Sequence, residues 1–248
     1  MTAPEPDRSP TARERARAQI TDEILAAARR RLAEEGPSEL SLRAVARDVG
    51  MVSSAVYRYF ASRDELLTAL LVLAYDDLGE AAERADAAVA DRGDFPARWS
   101  AVLRGIRGWA LAHPGDYALL YGSPVPGYAA PQTTVLPATR VIVVILRIVT
   151  EAHAAGAIAA GEPLADEAAL EGAVAGAIGF VRSRGLVGEE VSIEIVMRTL
   201  MAWTTVFGTV SFELFGHLVG SVTEPGRYFD AVAERLARDL GLRAGIAR

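Results

Sequence analysis

The residues best suited to chemistry in this sequence are small or cationic, and they fall close together. Ser53, Ser54 and Ala55 are followed by Tyr57, Arg58, Tyr59 and Arg63, with Ser41 and Arg43 shortly before. None of these spacings makes a nucleophile and its base. They offer hydroxyls, one methyl and several guanidinium forks, which are hydrogen-bonding and anion-binding groups. A B-form major groove admits a single helix, and small residues at the helix tip let its backbone approach base edges. There Ser53 and Ser54 can donate or accept hydrogen bonds, and the Ala55 methyl can pack on a thymine methyl. Tyr57, Tyr59, Arg43, Arg58 and Arg63 suit the flanking phosphates, which set position while the tip residues set sequence preference. A plain helical hairpin with a solvated face has the same spacing.

Other chemistries find little footing. There is no cysteine, which excludes disulfides and cysteine-ligated zinc. His113, His153 and His217 lack metal-ligand spacing, and neither a P-loop nor a nucleophile elbow occurs, so no metal, cofactor or enzymatic activity is expected. GAVAGAIG, 172 to 179, has no preceding strand and reads as close helix packing rather than a dinucleotide loop. All 26 basic residues are arginine, so any anion held by a side-chain cation meets a planar fork. The net charge is −6, yet Arg8 to Arg63 carries a local excess of four positive charges. A basic end on an acidic body fits a protein that meets a polyanion at one end only.

The elements that would position these groups are helical throughout, and no strand alternation appears. Residues 1–10 read as a disordered arm without the apolar stretch of a secretory signal, and the expected compartment is the cytoplasm. Thr11 to Glu14 has the form of a capping box, opening a helix that runs to Gly36-Pro37 with Ile20, Ile24, Ala28 and Leu32 as its stripe. Ser41 is a candidate N-cap for a second helix, with Leu42, Val45, Ala46 and Val49 inward and Gly50 as its stop. A third runs from about Ser53 to Phe60, with Val52, Val56 and Phe60 facing inward. Two short helices joined across Gly50 and braced by a longer one form a helix-turn-helix pattern.

The segment from Ile20 to Leu71 closely resembles the DNA-binding domain of TetR-family transcriptional regulators. The matching residues include Ile24, Ala27, Ala28, Leu32, Gly36, Ser41, Leu42, Arg43, Val45, Ala46, Val49, Gly50, Tyr57, Tyr59, Phe60, Arg63, Glu65 and Leu66. The resemblance implies that Ser41 and Arg43 touch the phosphate backbone and that Ser53, Ser54 and Ala55 enter the major groove. It implies backbone contacts for Tyr57, and for Arg63 in place of the family's usual lysine. Tyr59 stands where histidine is commoner. Val52 stands where a serine often caps the helix, leaving open whether Ser53 caps, reads a base, or does both.

The expected architecture is all-α. A helix-turn-helix domain at 11–62 is followed by a connecting helix at 63–91 and a larger ligand-binding and dimerisation domain at 92–248. Helices are expected at Phe95–Ala112, in DYALLYG, and at about 133–155, 164–183, 191–218 and 225–240. The apolar run 198 to 222 is long enough for a membrane span, but Glu213, His217 and its glycines favour a helix shared between a core and a subunit interface. With the last helix it would form half of an intersubunit four-helix bundle, making a homodimer with no membrane partner. The looser resemblance of the body to TetR-family regulatory domains implies a cavity for a small, largely apolar ligand. Candidates to line it are Trp99, Trp109, Tyr117, Tyr121, Tyr128 and Phe180. Arg147, within VIVVILRIVT, either faces solvent or needs an anionic partner.

The expected function is that of a sequence-specific DNA-binding regulator, a repressor released from double-stranded operator DNA by ligand. A dimeric regulator without a ligand, or a helical enzyme, are the alternatives.

Overall fold

Thr11 starts the first helix as the sequence demands. Its hydroxyl accepts from the Glu14 amide at 3.3 Å, while the Glu14 carboxylate accepts from the Thr11 amide at 2.7 Å. That reciprocal closure satisfies two of the donors a helix start leaves open. The computed structural model describes residues 11–158, 167–185 and 193–243, and the arm read at 1–10 lies outside them. Among the described residues the regular structure is helical, apart from a single antiparallel bridge between Ile158 and Leu242.

The helices are α1 (Ala12–Glu35), α2 (Leu42–Asp48), α3 (Ser53–Val56), α4 (Arg63–Ala87), α5 (Phe95–Ala112), α6 (Pro114–Tyr121), α7 (Val135–Ala154), α8 (Glu167–Ala173), α9 (Ala175–Ser183), α10 (Ile193–Leu214) and α11 (Pro225–Asp239). They form two compact units. The first holds residues up to Leu73 together with Gly115–Pro131; the second holds Ala74–Pro114 and the residues from Gln132 onward. Helix α4 runs without a break through both.

In the first unit Ile24, Ala28 and Leu32 of α1, Val45 and Ala46 of α2, Val56, Phe60, and Leu66, Leu67 and Leu70 of α4 are all buried. The four-residue steps read from sequence thus do face inward, with one exception. Val52 is 70% exposed, because it precedes α3 in extended backbone and lies outside the helical face its spacing suggested. Helix α6 reaches α1 at very close range. A Cβ at Gly115 would lie 2.6 Å from the Ala33 nitrogen and 2.8 Å from the Leu32 carbonyl carbon. Beside it Arg29 pairs with Asp116 at 2.7 Å, and Asp116 Oδ1 is buried without a hydrogen bond.

In the second unit α5 packs against α7 and α11. Trp99 is buried and its indole N–H donates to the Ala233 carbonyl at 3.0 Å, fastening α11 to α5. Arg98, fully buried, donates to Asp86 at 2.8 Å and to Glu151 at 2.6 Å, joining α4, α5 and α7. Burial pushes the Asp86 carboxyl up, but hydrogen bonds from Arg98 and Arg92 outweigh it and hold the group below its ordinary range. Arg140 of α7 grips Glu83 of α4 with both ends of its fork, at 2.8 and 2.7 Å.

Two expected helices differ in extent. The one read at 164–183 begins outside the described residues and breaks at Val174, where glycines at 172 and 176 weaken helix propensity on both sides. The one read at 191–218 also begins outside them and stops at Leu214. There Gly216, at φ 79°, turns the chain so that the His217 amide reaches the Phe212 carbonyl. Residues 132–154 join 193–214 as segments long and apolar enough to cross a membrane by length and composition. Val141, Val144, Ile145, Ile148 and Val149 of α7 are nonetheless buried within the unit, so that helix's apolar face is already in use.

Candidate nucleic-acid interface

The turn between α2 and α3 rests on Gly50. Its φ of 66° is left-handed, and the following Met51 amide returns to the Ala46 carbonyl at 2.9 Å. A Cβ there would meet nothing within 4 Å, so the demand for glycine is conformational and not steric. From that turn α3 projects, anchored beneath by Val56 at 0% and Phe60 at 5% exposure. The chain stays helical in its hydrogen bonding past Val56, with the Tyr57 amide on the Ser53 carbonyl and the Phe60 amide on the Val56 carbonyl, both at 3.1 Å.

Val52 is the N-cap of α3, and no side chain caps the helix. The Ser53 hydroxyl therefore does not cap it. Neither Ser53 nor Ser54 spends its hydroxyl on a partner among the described residues, so both remain available to an incoming ligand. Ser54 is exposed, with Ser53 and Ala55 half-buried on its flanks. Ser41 occupies the N-cap position of α2, but its side chain makes no capping bond either. Tyr57 is 46% exposed. Arg43, Arg47 and Arg58 are exposed, with no ion pair among the described residues. The arrangement is a short helix whose outer groups are left unbonded while its inner ones are packed.

Two predicted contacts are placed differently from the rest. Tyr59 is half-buried with the Arg17 guanidinium 5.0 Å from its ring centre. Arg63 turns back into the protein. Its Nε donates to the Leu40 carbonyl at 2.9 Å, and Nη2 donates to the carbonyls of Pro37 and Ser38 at 3.0 and 2.9 Å. Much of the fork that sequence assigns to a phosphate thus holds the turn between α1 and α2, leaving Nη1 uncommitted. Arg63→Ala should accordingly lower the stability of the first unit by about 1–2 kcal/mol, the part-exposed carbonyls recovering some bonds from water. The slope of DNA affinity against salt should change little. A slope flattened by one contact per subunit, with stability unaltered, would return Arg63 to the phosphates.

Arg31 braces the same scaffold, holding Asp48 at 2.5 Å and Glu35 at 2.9 Å across α1 and α2. Its hydrogen bond keeps the Asp48 carboxyl below the ordinary range.

The residues proposed from sequence for a ligand cavity are divided between the two units. Tyr117, Tyr121 and Tyr128 belong to the first unit and Trp99, Trp109, Arg147 and Phe180 to the second. Tyr117 and Tyr121 have ring centres 5.1 Å apart, and Tyr128 shares a 2.9 Å hydrogen bond with Thr68. Trp99 serves the core. Trp109 stacks on His113, and its indole N–H is buried without a partner. Phe180 is half-buried beneath Arg184. Arg147 is exposed, which answers the question its apolar surroundings raised. Among the described residues the buried arginine is Arg98, which sequence reasoning missed. Its signal was present, since Arg98 follows Phe95 by three and precedes Val102 by four, on the buried stripe of α5.

Comparison with known proteins agrees with this geometry. Residues 24–70 match the family described as bacterial regulatory proteins, tetR family, and residues 99–236 match the tetracyclin repressor-like C-terminal domain. An HTH-type transcriptional regulator of Mycobacterium tuberculosis is 43% identical over 223 residues, covering 87% of this chain and 90% of the relative. A counterpart in Mycobacterium bovis matches to the same extent. Among solved structures, the regulatory protein SCO4313 is 31% identical with a TM-score of 0.69, over 91% of this chain and 98% of the other. A protein of unknown function from Rhodococcus sp. RHA1 is 26% identical with a TM-score of 0.65, over 96% of this chain and 100% of its own. These relatives are named as regulators, not enzymes, where their function is given. The chain belongs to the tetR family of bacterial regulatory proteins and is a DNA-binding transcriptional regulator of the helix-turn-helix type.

Proposed function

We propose that the protein is a homodimeric repressor that holds a near-palindromic operator and is released from it by a small, largely apolar ligand in its C-terminal unit. The observation that carries the DNA part is the helix-turn-helix surface, where Ser54, Tyr57, Arg43 and Arg58 are exposed, their side chains unpaired among the described residues, above the buried Val56 and Phe60. In this reading Ser53, Ser54 and Ala55 meet base edges. Ser41, Arg43, Tyr57 and Arg58 meet phosphates, with Tyr59 at their edge. Arg63 acts through the turn it holds.

The dimer rests on the outer face of α10 and α11. Met201, Thr205, Gly208, Phe212 and Phe215 follow each other at alternating steps of four and three, and Met201, Phe212 and Phe215 are 60%, 54% and 45% exposed. Tyr228, Val232, Arg235 and Asp239 repeat that spacing on α11. A seam at this period, largely apolar along α10 and closed by the Arg235–Asp239 pair on α11, is what two helices offer to two more. A two-fold dimer would set its recognition helices about one DNA turn apart. Ligand would favour a spacing that no longer fits, and by linkage DNA would weaken ligand binding equally.

Selection from a random duplex pool by the full-length protein should yield a palindromic site. On that site Arg43→Ala should flatten the dependence of log affinity on log salt by about two units per dimer, one contact from each subunit. Ser54→Ala should change the preferred bases instead. Failure to enrich any sequence would overturn the DNA reading. Enrichment that no apolar compound reverses would leave a dimeric regulator without a ligand.

A further inference from the structure

The first two turns of α1 extend beyond the three-helix core. Residues 11–19 are exposed on every side, while burial in α1 begins around Ile20 and Ile24. Among the described residues none of them is buried in the core of the first unit, and their helical start is closed by the capping box of Thr11 and Glu14. They carry Arg13, Arg15 and Arg17 against Glu14 as the lone acid. A cation in the first turns of a helix is opposed by the positive end of its dipole, so these arginines do not stabilise the helix they begin. Arg13 and Arg15 have no ion-pair partner among the described residues.

Their place relative to the recognition helix is set by Arg17. Its Nη2 donates to the Arg58 carbonyl at 3.2 Å, and its guanidinium lies over the Tyr59 ring. The extension is thus tied to the chain immediately after α3, beside the groups that face DNA. Arg13 precedes Arg17 by four residues and shares its helix face, one turn farther out. A phosphate backbone passing the end of α3 would meet that face next.

We propose that the N-terminal extension of α1 is a second DNA-contacting surface. Arg13 binds backbone phosphate in the duplex flanking the half-site, and Arg17 positions it by clamping the extension to the end of the recognition helix. This rests on the reading of the helix-turn-helix as the DNA-binding element. The contact is to phosphate, so it lengthens the bound site without adding sequence preference.

The test uses full-length protein and the duplex obtained by selection, in two forms: with long flanks, and trimmed at the edges of the palindrome. Arg13 is exposed, so Arg13→Gln should leave the circular dichroism melt unchanged. On the long duplex it should weaken binding several-fold and flatten the salt slope by about two units per dimer, with the same selected sequence. On the trimmed duplex wild type and Arg13→Gln should bind alike. Arg17→Ala should shorten the hydroxyl-radical footprint at its outer edges, as Arg13→Gln does. Wild type that selects no sequence overturns the reading beneath the proposal. Wild type that binds the long duplex no better than the trimmed one, or Arg13→Gln with unchanged affinity and slope on the long duplex, overturns the proposal alone.

Discussion

Arg98→Met will lower the unfolding free energy of the C-terminal unit by about 3 kcal/mol or more at neutral pH, the cost of stranding a buried charge whose partner is removed. Asp86 is 5% exposed and would keep only Arg92, whose side chain is half in solvent. Glu151 would lose its bond as well, but it is exposed enough to turn to water. The sign of the pH dependence follows from the depressed Asp86 carboxyl. Its contribution is complete above the unfolded value near pH 4 and is lost as pH falls through the lower folded value. In the variant, burial without Arg98 favours the neutral acid, so the gap to wild type should narrow in acid. All three tryptophans, Trp99, Trp109 and Trp203, lie in this unit, so urea unfolding followed by tryptophan fluorescence reads it directly. A loss under about 1 kcal/mol at neutral pH, the ordinary scale of an exposed pair, would show that the network does not hold α4, α5 and α7 together.

Gly115→Ala is the second large effect, and it falls on the other unit. The added Cβ would sit 2.6 to 2.8 Å from the Ala33 nitrogen and α-carbon and from the Leu32 carbonyl carbon. These are backbone atoms inside a helix, so no side-chain rotation relieves the clash and α6 must move away from α1. The Arg29–Asp116 pair, at 2.7 Å beside it, would be stretched by the same movement. Overpacking against backbone belongs at the upper end of the usual range, about 3 kcal/mol. Amide hydrogen exchange should show lost protection in α6 and in the facing turn of α1, while the tryptophan transition of the second unit stays in place. Unchanged protection in both helices would mean that α6 is not seated on α1 in solution.

The helix-turn-helix was legible because its constraints are local. Capping at Thr11, the left-handed residue at Gly50 and the four-residue steps of Ile24, Ala28 and Leu32 need only neighbours a few positions away. Helix α5 was readable end to end for the same reason, bounded by the Asp94 cap and by His113. Local pattern failed where a residue stood just outside its element. Val52 kept the spacing of the inward stripe but lies before the helix that would have carried it inward.

Charged residues on long apolar helices show the limit more sharply. Arg147 sits among valines, isoleucines and a leucine and is exposed; Arg98 lies between Ala97 and Trp99 and is completely buried. Hydropathy of neighbours along the chain does not say which way a side chain faces. The phase within the helix does, and Arg98 is in phase with Phe95 and Val102. Asp86, in the same way, follows Leu78 and Ala82 at steps of four along α4. Even so, phase alone could not have paired them, because the partners come from separate helices.

By itself, then, the sequence determined the helical class, the helix-turn-helix and the small hydroxyl-bearing tip of α3, since each depends on contacts within a turn or two. Only the tertiary structure decided that Arg63 holds the 37–40 turn, that Arg17 ties the start of α1 to the end of α3, and that residues 115–131 cluster with the N-terminal helices. These outcomes depend on which carbonyl or ring the folded chain brings within reach of a long, flexible guanidinium, or on which backbone approaches a glycine. Such distances between remote residues are set by the packing of whole helices and leave no period in the sequence.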